Sequence, residues 1–313
     1  MRKIAHFIIH SKAATYIAAL LYVAMWLIHS LQVGGITLRG VGALLLTLFM
    51  GSLSVKVSRE FSFNDVKNTL PATLFLLGSA ITPQVGQAQG GGWHYLLVAV
   101  SCYILLRTYR DRAAMGSYFL AFVLVGTQCV FAPSLLFTLP LLVLCGASME
   151  SLHTRTFFAA LWGLLCPFWM VAGTLFLTDR VELITTYLGR LPIEAFSLSA
   201  LTGTPQLWLP LLWIVLLALP GSMVILLDRT MKTQSYAGFR LLMTALVVLL
   251  LAVILTPAYA SSLLPTMLFG TSLIGTALFA GKGNRARNIY LVVLLLLWFS
   301  FLGNHVWSNY MMH

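Results

Sequence analysis

Charge is scarce in this chain. Only 9% of its 313 residues are Asp, Glu, Lys or Arg, and eight of them are acidic. A soluble domain is about 25% charged, so this composition cannot cover a water-exposed surface. It excludes a soluble fold, a disordered chain and a coiled coil together. Cysteine is also scarce. Cys102, Cys129, Cys145 and Cys166 all fall inside apolar runs without CxxC spacing, which argues against a disulfide framework or a zinc site. They read as buried, inert thiols.

Signatures of several chemistries are missing as well. The chain has no Walker A loop, no GxSxG and no GxGxxG beside a strand-like run, so nucleotide hydrolysis and triad chemistry have no support. Of the seven histidines, His6 and His10 share a helix face at i, i+4 spacing, but no Glu lies between them and no third ligand follows. No metal and no cofactor is expected. No Asp, Glu, Lys or Arg falls in the middle third of any apolar run, although such residues are the usual marks of an ion or proton path. That weakens a transporter reading, which stays third in order.

What is present is apolar. Hydrophobic residues make up 59% of the chain, and the mean hydropathy is +0.92. The runs are long and lack the alternation of a β-barrel. About 20 residues cross a bilayer core as a helix. On that scale eleven segments are expected: 14–34, 38–55, 67–85, 92–108, 114–132, 134–149, 157–177, 207–227, 239–256, 262–280 and 288–309. The fold class expected is therefore all-α, a polytopic helical bundle forming one integral membrane domain over 1–313. The fifth and sixth segments are joined only by Ala132-Pro133-Ser134. They form either a tight hairpin or a re-entrant pair, and both return the chain to its starting side.

The basic residues give the direction. With eleven segments, sixteen of the nineteen fall on one side, in the clusters Arg2/Lys3/Lys12, Lys56/Arg59/Lys67, Arg107/Arg110/Arg112, Arg155, Arg229/Lys232/Arg240 and Lys282/Arg285/Arg287. The other side holds Arg39, Arg180 and Arg190. Because Lys and Arg concentrate in cytoplasmic loops, the N-terminus is expected in the cytoplasm and the C-terminus outside, in an inner membrane. The net charge of +11 then marks orientation and contact with anionic inner-leaflet lipids, and implies no nucleic acid. Met1–Lys12 reads as an interfacial segment leading into an uncleaved first helix.

Function is sought first in the external loop 178–206, between the first seven segments and the last four. It holds Asp179, Arg180, Glu182, Arg190 and Glu194. Asp179, Glu182 or Glu194 could serve as a base, and Arg180 or Arg190 could hold a phosphate or carboxylate. A solvated loop with mutually compensating charges is the plainer alternative. Arg39 at the edge of the second segment is a further binding candidate. So are Gln84 and Gln206, each ending a Thr-Pro-Gln at an external boundary. Gln128 is the most deeply placed strong hydrogen-bonder, set either to bond a neighbouring helix or to line a cavity.

Residues 100–180 carry two resemblances. The Arg107–Arg112 cluster, the short runs meeting at Phe131-Ala132-Pro133, Leu139-Pro140-Leu141-Leu142, the turn with Arg155, and Gly163-Leu164-Leu165-Cys166-Pro167 resemble an uncharacterised multi-pass inner-membrane family of Bacteroidota. That resemblance covers residues 70–180 best and implies no activity. The same stretch is similar to the membrane core of polyprenyl-phosphate-sugar-dependent glycosyltransferases. Those enzymes imply an acidic residue in a large external loop after the first helix. The corresponding loop here, Val33–Gly40, has eight residues and no acid. Either the catalytic acid lies in 178–206 or the scaffold is not catalytic, and the second is preferred.

The expected function is a non-catalytic scaffold or lipid-carrier-handling component of cell-envelope assembly. The alternative is a divergent glycosyltransferase acting on a polyprenyl-linked sugar at the external face. The partners expected are membrane lipids, with a polyprenyl-linked substrate or a membrane protein as the specific ones. A reporter fused after His313 is expected to read external; a cytoplasmic signal would refute the odd number of crossings.

Overall fold

The computed structural model describes residues 11–32, 35–61, 69–81, 93–131, 139–189, 208–227, 232–255, 260–279, 289–300 and 303. Among them there is no strand. In chain order the helices are α1 (Lys12–Gln32), α2 (Leu38–Glu60), α3 (Leu70–Ile81), α4 (Trp93–Leu106), α5 (Met115–Phe131) and α6 (Leu139–Ser148). They continue with α7 (Thr154–Leu177), α8 (Glu182–Gly189), α9 (Trp208–Leu227), α10 (Thr233–Leu255) and α11 (Ala260–Phe279), then α12 (Ile289–Ser300). Each of the eleven expected segments falls on a helix, and α8 lies in the loop 178–206 that was expected to be external. Five helices, α1, α2, α7, α9 and α10, are long and apolar enough to cross a membrane. The described part of α6 has only ten residues, or about 15 Å at 1.5 Å per residue, half of a bilayer core.

The chain forms two compact units. Unit 1 takes Met1–Gly92, Thr204–Ser235 and Met267–His313; unit 2 takes Trp93–Gly203 and Tyr236–Thr266.

In unit 1 every residue of α3 is buried. Its Phe75 ring meets Phe269 of α11 edge-on, with centroids 6.3 Å apart. Gly78 leaves room for Trp213 of α9, whose Nε1 would lie 2.7 Å from a Cβ at that position. Polar groups in this apolar interior are matched to backbone acceptors. Trp298 of α12 donates its indole N–H to the Leu77 carbonyl at 2.7 Å. Pro220 inside α9 has no N–H, which orphans the carbonyl four residues earlier. That carbonyl belongs to Leu216, and the Tyr290 hydroxyl donates to it. At one end of the unit Thr15 Oγ1 lies 2.6 Å from Thr69 Oγ1 and 2.9 Å from Thr73 Oγ1, tying α1 to α3.

In unit 2 the dominant contact is α5 against α7. A Cβ at Gly126 would lie 2.6 Å from the Leu164 carbonyl oxygen, and one at Gly163 would collide with the Phe119 carbonyl oxygen. The two backbones therefore touch, one glycine from each helix. Pro167 sits four residues after Gly163, so the Gly163 carbonyl also loses its helical donor. Small residues that let backbones meet are the usual means of joining helices in lipid, where tails are as apolar as leucine. The described chain continues from α7 into a turn that ends in α8.

Gly126→Ala or Gly163→Ala is expected to destabilise the protein by about 1–3 kcal/mol through overpacking. Gly173 of α7 has nothing within 4 Å, so Gly173→Ala is expected to leave stability unchanged or raise it by up to ~1 kcal/mol. Thermal unfolding of the three variants in detergent checks the pair of statements.

Candidate functional site

Five of the nine expected site residues, Arg39, Gln128, Asp179, Arg180 and Glu182, are among the described residues. Asp179, Arg180 and Glu182 are described, and all three are exposed. Arg190, Glu194, Gln84 and Gln206 lie outside the described residues. Arg39 is exposed in the first turn of α2, beside Thr37, whose Oγ1 accepts from the Gly40 N–H at 3.1 Å.

Asp179 has a local structural task. Its φ is +53°, its N–H donates to the Phe176 carbonyl at 3.3 Å, and the Arg180 N–H reaches the Leu175 carbonyl at 2.9 Å. These bonds form a Schellman motif with Asp179 in the left-handed position after the helix, where Asp is tolerated better than most residues. Glu182 opens α8 as the acid of its first turn, where a negative charge complements the helix dipole. The spacing of Asp179 and Glu182 thus follows from ending one helix and starting the next.

Gln128 is fully buried. It shares a face of α5 with the equally buried Ala121 and Val125, at i, i+4 and i+7. Neither its Oε1 nor its Nε2 has a hydrogen-bond partner, so the expected bond to a neighbouring helix is not made by the described residues.

The richest polar cluster lies where α4 ends, α5 begins and α6 turns into α7. Sequence reasoning treated these residues only as basic turns. Ser151 Oγ stands 2.7 Å from Tyr118 OH and 3.1 Å from Thr108 Oγ1, and all three residues are buried. Above this buried trio, Arg110 Nε donates to Glu150 Oε2 at 2.8 Å. That bond, then the Glu150 charge, pushes the Arg110 guanidinium above its ordinary value, so the cation persists at any physiological pH. Arg110 and Glu150 both have φ of +56°, a region costly for non-glycine residues. The Arg110 N–H also reaches the Met149 carbonyl at 3.0 Å. The ion pair and this amide bond hold both turns in place. Arg240 of α10 donates Nη2 to the Ser148 carbonyl at 3.2 Å, closing the C-terminus of α6 with a cation, as the helix dipole favours.

Beside this basic end runs a groove of about 260 Å³, lined by Phe122 of α5, Leu139 and Val143 of α6, Leu152, and Phe157, Ala160, Leu161 and Leu164 of α7. Pockets for compact ligands run from ~300 to 1,000 Å³ and carry a few polar anchors. This one is smaller and every described lining side chain is apolar, which suits a hydrocarbon chain. It opens to its surroundings past Phe157, Leu161 and Val143, which are 44%, 40% and 38% exposed. Leu152 reaches it by folding back over Gly146, where a Cβ would meet its Cδ1 at 3.2 Å. The sequence signal was the stripe Phe157, Ala160/Leu161 and Leu164 at helical spacing, but such a stripe reads equally as a packed face.

Among the described residues no three His, Cys, Asp or Glu side chains gather in a way that could hold a metal. None of the described side chains that line the groove can act as an acid, a base or a nucleophile.

An amide buried without partners costs about 1–3 kcal/mol. Gln128→Leu is therefore expected to raise thermal stability in detergent, and a lower melting temperature would reveal a partner for the amide. Comparison of the chain with known families, with characterised proteins and with solved structures returns no match.

Proposed function

We propose that this protein is a non-catalytic, multi-pass inner-membrane component of cell-envelope assembly that holds the hydrocarbon chain of a lipid carrier beside α7. The supporting observation is the wholly apolar groove between α5, α6 and α7, open on one side. In a bilayer that side faces lipid. With the N-terminus in the cytoplasm and eleven segments in or across the membrane, the basic end of the groove lies at the cytoplasmic surface. The exposure of Asp179, Arg180 and Glu182 supports a solvated loop over a catalytic one.

Two variants test this reading. Ala160 is buried at the groove wall, and Ala160→Trp is expected to fill the groove and reduce lipid that stays with the purified protein. Undiminished lipid in a folded Ala160→Trp protein refutes it. Replacing Asp179, Glu182 and Glu194 together by alanine is expected to leave lipid-linked glycan profiles in cells unchanged. A changed profile would favour the glycosyltransferase reading instead.

A further inference from the structure

A hydrocarbon chain offers no directional contact, so an apolar groove tells one chain from another by the fit of its walls. Two of those walls come from different parts of unit 2. Phe122 belongs to α5, and Leu152 to the turn between α6 and α7. Tyr118 is not among the lining residues, yet it supports both. Its ring stacks on that of Phe122 one turn along α5, with centroids 6.5 Å apart and planes inclined by 15°. Its hydroxyl lies 2.7 Å from Ser151 Oγ, and Ser151 directly precedes Leu152. A Cβ at Gly146 of α6 would lie 2.6 Å from that hydroxyl and 3.2 Å from Leu152 Cδ1. The hydroxyl and the leucine methyl thus share the space over one missing side chain.

Tyr118 is itself held. It is fully buried, and its hydroxyl belongs to a connected set. Ser151 Oγ also lies 3.1 Å from Thr108 Oγ1, just past the end of α4. The Ser151 carbonyl oxygen lies 3.1 Å from Thr156 Oγ1, and Thr156, in the first turn of α7, directly precedes the groove-lining Phe157. A buried hydroxyl stripped of its partner is costly, so these groups keep one another in place. Walls packed to this density do not spread for a bulkier occupant without strain.

We infer that Tyr118 is the positioning residue of this groove: through its ring on Phe122 and its hydroxyl on Ser151 it fixes the separation of Phe122 and Leu152, and with it the thickness of hydrocarbon chain that the groove accepts. The inference rests on the lipid-holding function proposed above and adds the determinant of chain selectivity. A slot of fixed width does not hold a straight acyl chain and a methyl-branched one of the same backbone length equally well. In an apolar pocket one extra methylene is worth about 10–200-fold in discrimination. Without the Tyr118 hydroxyl, Ser151 loses its tie to α5, the Leu152 wall adapts to either chain and the discrimination fades.

The test uses the full-length protein in nanodiscs holding equal amounts of two phosphatidylcholines, one with palmitoyl and one with phytanoyl chains. Lipids retained on extraction into mild detergent are counted by native mass spectrometry. The wild type is expected to retain one of the two about tenfold over the other, the low end of the range for a misfitting methylene. Tyr118→Phe keeps the ring stack and is expected to bring the ratio to within about threefold of equality, a loss of most of that discrimination. Ser151→Ala removes the same bond from the other side and is expected to do likewise; it carries the test if Tyr118→Phe fails to fold. Because the two residues share one bond, the double variant is expected to shift the ratio no further than either single one, and an additive shift overturns the inference. A variant that is merely less stable loses both lipids in proportion, and an unchanged ratio in the two single variants also overturns it. Equal retention of the two lipids by the wild type overturns it as well, while leaving the lipid-holding function intact. If Ala160→Trp retains as much of both lipids as the wild type, the groove is not the site and both readings fall.

Discussion

Unit 2 depends on the meeting of two backbones. Where α5 crosses α7, Gly126 lies against the Leu164 carbonyl and Gly163 against that of Phe119. No other side chain is small enough for that approach. Apolar helices in an apolar solvent have little reason to associate except through close fit and scarce hydrogen bonds. With α5 and α7 locked together, the described part of α6 lies beside them as a short helix. The space left along its flank becomes the groove. A bulkier residue at either crossing position would separate the two helices that form most of the groove's walls.

Unit 1 meets the same solvent by another route. Its central helix α3 is buried all round, and the donors that would be stranded in such an interior are aimed at helix carbonyls. The Tyr290 hydroxyl takes the Leu216 carbonyl that Pro220 leaves open. The Trp298 indole takes that of Leu77. The Thr15–Thr69–Thr73 cluster satisfies three hydroxyls with one another and with the backbone. An orphaned carbonyl in hydrocarbon costs several kcal/mol, so the one that Pro220 leaves in α9 is met by a hydroxyl from another helix.

Periodicity and run length were enough to place a segment on each described helix except α8, because a backbone in an apolar medium has almost no other way to satisfy itself. The site was less legible. Asp179 drew attention as a lone acid in a loop, whereas its left-handed backbone shows it ending α7, and nothing in its neighbours' identity announced that. The groove combines Phe122, Val143 and Phe157 from three helices, a juxtaposition that no single stretch of sequence encodes. Arg110 and Glu150 were each counted as loop charges, and their pairing across forty positions is visible only once α4 and α6 end side by side.

The enclosure of α3 carries a consequence for synthesis of the chain. Leu77 emerges from the ribosome early, but the indole that satisfies its carbonyl belongs to Trp298, 221 positions later. Unit 1 is assembled from three separated stretches, the last of them Met267–His313, whereas unit 2 has all of its residues by Thr266. During translation the unit that begins first is thus the unit that finishes last, and α3 must be sheltered meanwhile by α1 and α2 or by insertion machinery.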